Sequence, residues 1–439
     1  MRVLIVGSGA REHALAWKLQ SEEVAAEVVC APGNSGLARR VRCLALDLSD
    51  PRAALDLARA ERIDLTIIGP ELPLAAGVAD VFAAAGRRLF GPSRAAARLE
   101  TSKAFAKDFM RRHAVPTARY VVCDSAEAAR TIIRSHELGD RVVVKADGLA
   151  AGKGVVVADD AEQAESAVAD AMELRRFGDA GTRVVLEERL EGAEVSFFAL
   201  ADGVRALRLA TAQDHKRVFD GDEGPNTGGM GAFSPSPLVE ADLAARIERD
   251  IVGPVLAGLT REGTPFRGLL YCGLMLTADG PRVIEFNVRF GDPEAQVVLP
   301  GIDEPLAPLL WAAADGALTA TRCATVADAH VGVVLAAHGY PDHPRSAQVI
   351  TGLARLEREC PDVLAFFAGV TSRGEDLVTS GGRVMTIVGR GASVEAAAAR
   401  AYEGVARVHF AGMHFRKDIG AKRQHEDHEE DEGRTRKAT

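Results

Sequence analysis

The chain has 439 residues, 47% of them hydrophobic and 26% charged, with a formal net charge of −9. That length suggests roughly two to four domains of ordinary globular composition. No run approaches the roughly 18 apolar residues needed to cross a bilayer, and the acidic balance argues against a nucleic-acid surface. Neither membrane nor nucleic acid is therefore expected as a partner, and a phosphate-bearing ligand would have to be held by local cations and backbone amides. The first eight residues enter a strand and a glycine turn directly, without the charged, apolar and small-residue segments of a secretion signal. The six cysteines form no Cys-x-x-Cys pair. Both features fit a reducing, cytoplasmic setting.

Residues 2–6 are an apolar run, Gly7-Ser8-Gly9-Ala10 follows, and residues 11–19 show helical spacing. Strand, tight turn and helix in that order place free backbone N–H groups where an anion can sit. The pattern fails as a dinucleotide fingerprint. Its third glycine position is Glu12, and the second strand (26–30) ends in Ala31-Pro32-Gly33-Asn34 without a ribose-binding acid. A doubly wound α/β domain is expected, its first loop facing a phosphorylated small molecule rather than NAD. Residues 51–61 read as a helix and 63–68 as a buried strand. Gly69-Pro70-Glu71 follows at the strand's carboxyl end, where open α/β sheets bind ligands. Glu71 is there either an acceptor for sugar hydroxyls or an ordinary solvated loop acid. A helix at 74–85 and a short strand at 88–90 lead to Gly91-Pro92-Ser93 and a boundary near residue 100.

Thr101-Ser102-Lys103 opens a helix reaching about His113. Strand 142–145 ends in Lys145. Ala146-Asp147-Gly148-Leu149-Ala150-Ala151-Gly152-Lys153-Gly154 follows, then strand 155–158. A P-loop is excluded because the spacing is one residue short, no Ser or Thr follows Lys153, and a strand rather than a helix comes next. A glycine-rich hairpin remains. It is either a lid over phosphates, with Lys145 and Lys153 as point charges, or a flexible surface hairpin.

Residues 183–186 read as a strand running into Glu187-Glu188-Arg189-Leu190-Glu191-Gly192-Ala193-Glu194, with further strands at 195–199 and 205–209. Residues 212–237 show no periodicity. They hold Gln213-Asp214-His215-Lys216-Arg217 and Gly224-Pro225-Asn226-Thr227-Gly228-Gly229-Met230-Gly231. Long aperiodic segments inside compact domains are usually functional, although a plain surface loop fits too. A helix at 243–258 and a strand at 268–276 lead to residues 283–294. Read as a strand, these put Ile284, Phe286, Val288 and Phe290 on one face and Glu285, Asn287 and Arg289 on the other. A carboxylate and a carboxamide two residues apart suit Mg²⁺ bridging a polyphosphate. A solvated strand face is the alternative. Asp292-Pro293 then turns the chain and brings Glu294 to the rim. From about Ala329 a third region shows strands at 331–336, 363–368 and 383–388, a helix at 394–408, and a close at 415–420. Residues 421–439 are charged and apolar-poor, so disorder is expected there.

The motifs at 7–14, 31–34, 69–71, 145–154, 213–217, 225–231 and 285–294 together resemble the phosphoribosylamine–glycine ligases of the ATP-grasp superfamily, in order from residue 1 to about 420. Two contrasts stand out. Val288 occupies a position that is Cys in some relatives. Many ATP-grasp enzymes carry a further metal-binding acid on the preceding strand, where Tyr271-Cys272-Gly273-Leu274 has none. The resemblance implies an α/β chain (α+β overall). Its N-terminal doubly wound parallel-sheet domain would span 1–100. A central ATP-grasp domain would span 101–328, with a glycine-rich lid subdomain at about 120–190, and a smaller C-terminal α/β domain 329–420. It also implies ATP-dependent joining of glycine to 5-phosphoribosylamine through a glycyl phosphate, with ATP and Mg²⁺ (or Mn²⁺) required. The expected state is a monomer that meets the enzyme supplying phosphoribosylamine only transiently.

By the same resemblance, Lys103, Lys145, Gly148, Gly152, Lys153 and Gly154 hold the ATP phosphates, Glu187, Glu188 and Leu190 lie beside adenine, and Glu194 takes the ribose. Glu285 and Asn287 bind the metal. Arg289, Lys216 and Asp214 serve the chemistry. Gly9, Glu71, Asn226, Thr227, Gly228, Gly229, Met230, Asp292 and Arg383 shape the glycine and sugar-phosphate pockets, with Arg383 on the 5′-phosphate. Three rival readings stay open: another ATP-grasp carboxylate–amine ligase or carboxylating enzyme, a nicotinamide- or flavin-linked oxidoreductase using the first glycine turn, and a non-catalytic nucleotide-binding module.

Overall fold

The computed structural model describes residues 1–25, 27–150 and 154–421. In the N-terminal region, β1 (Arg2–Gly7), β2 (Glu27–Pro32), β3 (Arg42–Cys43), β4 (Leu65–Ile68) and β5 (Leu89–Phe90) form one parallel sheet in the order β3-β2-β1-β4-β5. The apolar run of β1 is continuous because both faces are covered. Leu4 and Val6 enter one hydrophobic core, and Val3 and Ile5 enter another on the opposite face. Helix α1 (Ala10–Gln20) starts at Gly9, and α2 (Pro51–Ala60) is capped by the Asp50 carboxylate, which accepts the Arg52 N–H. The helix expected at 74–85 is two helices, α3 (Glu71–Ala75) and α4 (Val78–Ala84). Between them Gly77 has φ of +90°, which breaks the helical path.

Helix α5 (Arg98–Thr101) turns directly into α6 (Lys103–Arg112), whose N-cap Ser102 accepts the Phe105 N–H at 3.1 Å. Strands β6 (Tyr120–Cys123), β7 (Val142–Ala146), β8 (Val155–Val157) and β9 (Val184–Glu188) then make an antiparallel sheet, β6-β9-β7-β8. It has a core of its own, built with helices Ala126–Ser135 and Ala161–Val168.

Strands β10 (Ala193–Asp202) and β11 (Ala206–Arg208) follow. The aperiodic stretch at 212–237 is more ordered than its sequence suggests. It contains β12 (Gln213–Asp214), β13 (Arg217–Phe219), β14 (Glu223–Asn226) and β15 (Gly231–Ser234), each too short to show a period. Long strands β16 (Arg267–Thr277) and β17 (Gly280–Asn287) complete a central sheet, β11-β10-β16-β17. The last strands are β18 (Ala329–Ala336), β19 (Leu364–Phe367), β20 (Val370–Arg373), β21 (Asp376–Thr379) and β22 (Arg383–Gly391). The sheet β12-β15-β18-β22-β19 draws strands from both sides of position 329. Gly231 permits this pairing, because a Cβ there would press 2.6 Å from the Gly332 carbonyl oxygen. Of the charged 421–439 tail, only Ala421 lies within the described residues.

Candidate functional site

Strand β17 does not alternate cleanly. Glu285 pairs with Gly273 and Val283 with Leu274, so Ile284 is an extra, bulged residue. Val283, Phe286 and Val288 enter the core, Ile284 stays out of it, and Glu285 and Asn287 take the opposite side. The strand ends at Asn287, so Arg289 sits on the loop that follows rather than along the expected strand face, and Asp292 lies on the same loop. The bulge also frees a backbone acceptor. The Ile284 carbonyl receives a hydrogen bond from Lys145 Nζ at 2.9 Å.

Lys145, at the end of β7, also lies 2.8 Å from Glu187 Oε1, and Lys107 lies 2.7 Å from Glu187 Oε2. All three are buried. Glu187, expected beside adenine, is therefore held between two lysines. Lys103 lies 3.7 Å from Glu285 Oε2. Burial opposes ionisation of Glu285, but Lys103, Lys216, Lys145 and Arg289 together outweigh it and hold its carboxyl down at about 2. Asp147 fastens the glycine-rich hairpin to α6, accepting from the Ser102 hydroxyl at 2.9 Å and the Ala104 N–H at 3.1 Å. Gly148 leaves room for Ala180, whose Cβ would lie 2.6 Å from a Cβ at 148. Gly154 follows at the hairpin's far end, while Gly152 and Lys153 lie outside the described residues. The Glu188 carboxylate is bound by Arg119 (2.6 Å) and Arg282 (3.4 Å). Leu190 lies in the link from β9 to β10, the connection between the small sheet and the central one.

Around Arg289 the acids gather. Its Nε donates to Glu71 Oε2 at 3.3 Å, and its Nη2 lies 2.9 Å from Glu100 Oε1 and 3.3 Å from Asn287 Oδ1. Glu100 Oε2 accepts the Val288 N–H at 2.7 Å. Glu71 is thus half-buried and paired, not a free loop acid. Glu294 is buried rather than at the rim, accepting from the Tyr271 hydroxyl at 2.6 Å, and Ser196 lies 2.9 Å from that hydroxyl. Lys216 pairs with Glu194 at 3.0 Å. Burial raises the Asp214 carboxyl to about 7. Lys216 opposes the shift, and Glu294, Glu194 and Glu285 add to it.

The loop at 226–230 is held mostly by its own backbone. Thr227 donates to the Lys216 carbonyl at 2.8 Å and accepts the Gly229 N–H at 3.0 Å. Met230 packs inward with Val218 and Ala336, so its side chain is withdrawn from the site, leaving Asn226 and Gly228 on the accessible side while Gly229 is buried. Arg383, expected on a 5′-phosphate, donates to the carbonyls of Gly228 (2.6 Å) and Asp292 (2.7 Å) and pairs with the Asp292 carboxylate at 3.3 Å. Gly9 closes the far side. Its N–H donates to Glu12 Oε2 at 2.5 Å, and a Cβ there would lie 3.3 Å from Asp292. The Glu12 carboxylate fills the space over Gly7 and Gly69, where a dinucleotide fingerprint would admit pyrophosphate. The volume a diphosphate would need is thus taken by this side chain.

No cluster of three or more His, Cys, Asp or Glu suited to a metal occurs among the described residues. Glu285 and Asn287 offer two oxygens, which fits a hard cation whose remaining ligands are phosphate and water oxygens. Sequence reading missed Lys107 and Glu100. Lys107 stands one helical turn from Lys103 in α6, a spacing that could have marked it. Glu100 carries no such signal.

A glycine-rich antiparallel hairpin with its lysine, set against a central sheet that presents acid, amide and arginine from one segment, defines the ATP-grasp class, whose members use ATP with a divalent cation. Residues 1–100 match the phosphoribosylglycinamide synthetase N domain, 101–295 its ATP-grasp (A) domain and 330–422 its C domain. The chain belongs to the phosphoribosylglycinamide synthetase family. The phosphoribosylamine–glycine ligase of Xylella fastidiosa is 48% identical over 424 residues, covering 96% of this chain and 97% of the relative. That of Pseudomonas aeruginosa is 48% identical over 423 residues, with 96% and 97% covered. The crystal structure of phosphoribosylamine–glycine ligase from Thermotoga maritima, 35% identical, superposes with a TM-score of 0.84 over 95% of this chain and 100% of that one. Biotin carboxylase from Campylobacter jejuni, 16% identical, shares the fold with a TM-score of 0.71 over 95% and 94%.

Proposed function

We propose that this chain joins glycine to 5-phosphoribosylamine, giving glycinamide ribonucleotide, ADP and phosphate in purine biosynthesis. The observation that carries the reading is the convergence of Lys145, Glu285 and Arg289 on one edge of the central sheet, beneath the hairpin. A glycine carboxylate is a poor electrophile. Its oxygen attacks the γ-phosphorus, the bond to ADP breaks, and glycyl phosphate forms. The sugar amine then attacks the carbonyl carbon, the C–O bond to phosphate breaks, and the nitrogen loses a proton. No protein nucleophile is needed, so catalysis is positioning and charge neutralisation.

Lys103, Lys145 and Lys153 hold the phosphates, and the hairpin with Gly148, Gly152 and Gly154 excludes water that would hydrolyse the acyl phosphate. Glu188 and Leu190 border adenine through backbone groups, and Glu194 takes the ribose hydroxyls. Glu187 acts from behind Lys145. Glu285 and Asn287 would hold Mg²⁺ or Mn²⁺, which would supply charge neutralisation for the phosphates. Arg289 and Lys216 stabilise the transferred phosphoryl group and the tetrahedral carbon. Asp214, Asn226, Gly228, Gly229 and Asp292 line the glycine and amine pocket, with Thr227 and Met230 fixing the loop's shape. Gly9 and Glu71 face the sugar. Arg383, tied to Asp292, keeps only part of its guanidinium for a 5′-phosphate. The corresponding units are 1–100, 101–328 with the lid at about 120–190, and 329–420, acting as a single cytoplasmic chain.

An ADP-release assay with freshly generated phosphoribosylamine tests the reading. ADP should appear only when glycine and phosphoribosylamine are both present. Equal release with bicarbonate or formate replacing glycine would assign the chain to a different ligase.

A further inference from the structure

The Lys145 ammonium, assigned above to the ATP phosphates, is already paired. Lys145 Nζ lies 2.8 Å from Glu187 Oε1 as an ion pair and donates to the Ile284 carbonyl at 2.9 Å. An ammonium carries three donors, and the Ile284 carbonyl takes only one of them, so donor capacity remains for a ligand. Its charge, however, is offset by a carboxylate on a residue only 3% exposed. Lys107 restores the balance from the other side. Its Nζ lies 2.7 Å from Glu187 Oε2 and donates to Thr117 Oγ1 at 2.7 Å, and the residue is 2% exposed. The Thr117 hydroxyl in turn donates to the Val283 carbonyl at 2.7 Å, beside the bulge that receives Lys145. Two ammonium groups and one carboxylate leave the buried triad with a net charge of one positive unit.

We propose that Lys107 is a positioning residue for nucleotide binding: it neutralises Glu187, so that Lys145 presents both a directed N–H and an uncompensated positive charge to the ATP phosphates. The inference rests on the assignment of Lys145 to those phosphates. Lys107 itself has no path to a ligand. Its side chain ends in Glu187 and Thr117, with the Tyr120 ring 5.9 Å away. Burying a second ammonium is costly. Desolvation, resisted by Glu187 and aided by Lys145, brings Lys107 down to about 8. An apolar side chain of similar length would fill the volume without that cost. The charge is what the site gains. Loss of one unit charge about 7 Å from a phosphate, at an effective dielectric near 20, corresponds to roughly tenfold to a hundredfold in affinity.

The experiment is calorimetric binding of Mg-ATP to the full chain and to Lys145→Met, Lys107→Met and the double variant Lys107→Met/Glu187→Gln, with KM and kcat measured in parallel. Lys145→Met should weaken binding. Lys107→Met should weaken it by about tenfold to a hundredfold and raise KM for ATP, with kcat at saturating ATP nearly unchanged. The double variant restores a net positive Lys145 and should bind within about threefold of the wild type. Unchanged binding in Lys107→Met beside a weakened Lys145→Met overturns the proposal. A folded double variant that stays weak does the same, because it assigns Lys107 to packing. Unchanged binding in Lys145→Met removes the phosphate assignment itself. Should Lys107→Met not accumulate folded, the double variant decides, since it buries no carboxylate at that position.

Discussion

Arg289 reaches back from the end of the central sheet to two acids of the N-terminal region, its Nη2 2.9 Å from Glu100 and its Nε 3.3 Å from Glu71. Glu100 also takes the Val288 N–H at 2.7 Å, so one carboxylate fixes both the guanidinium and the backbone before it. An arginine held this way cannot swing, and its Nη1 is tied in turn to the Phe290 carbonyl at 3.3 Å.

Arg289→Ala should lower kcat by roughly a hundredfold to a thousandfold while leaving ATP affinity within about threefold. It also strands Glu100 in the interior, at a cost of about 3 kcal/mol in stability. Adding Glu100→Gln should recover the stability but not the turnover. Steady-state kinetics and urea unfolding measure the two effects, and an equal loss of kcat and ATP affinity would contradict the role given to Arg289.

Glu12 makes Gly69 irreplaceable. A Cβ at 69 would overlap the Glu12 carboxylate, which is itself buried and bonded to the Gly9 N–H and to Arg11. Gly69→Ala should cost about 1–3 kcal/mol, seen as a lower melting temperature. In a Glu12→Ala background the same substitution should cost little. Additive losses in the double variant would show that the overlap is not the cause.

His13 ties the first helix to the C-terminal sheet. Its Nδ1 accepts the Phe367 N–H at 2.9 Å, and burial, with a lesser push from Arg40, lowers its pKa to about 3. The unfolded chain protonates this histidine near 6.5, whereas the folded chain does so only near 3. Its contribution is complete above 6.5 and is lost as pH falls toward 3, on the order of 5 kcal/mol at the acid end. His13→Asn can accept the same N–H without titrating. Its urea-unfolding stability should decline less than the wild type's between pH 6.5 and 4, and parallel declines would refute the assignment.

Asp214 works in the opposite sense. Burial, opposed by Lys216 and reinforced by Glu294, Glu194 and Glu285, raises its carboxyl to about 7, so the folded chain favours the protonated acid. That contribution is complete below the ordinary aspartate value and is lost as pH rises through 7. Without nucleotide, Asp214→Asn should match the wild type near pH 4 and exceed it in stability near pH 8. Thermal melts across that range check the sign, and a wild type that gains on the variant with rising pH would reverse it.

What the chain carries in its own order is the local chemistry. The apolar run of residues 3–6, the glycines at 7, 9 and 69, and the lysine-bearing hairpin were legible because period and turn chemistry act over a few neighbours. The polar side of β17 was legible for Glu285 and Asn287, since alternation holds for adjacent residues. It failed at Ile284, where a bulge answers to the partner strand, and at Arg289, where the strand has ended. Tertiary structure alone decided that Glu187 faces two lysines, that Glu71 and Glu100 belong to Arg289, and that Asp214 and Gly231 sit on a sheet completed a hundred residues later. The physical reason is common to all of these. A buried charge is tolerated only where an opposite charge or a fixed dipole meets it, and which groups meet is set by the packing of segments far apart in the chain.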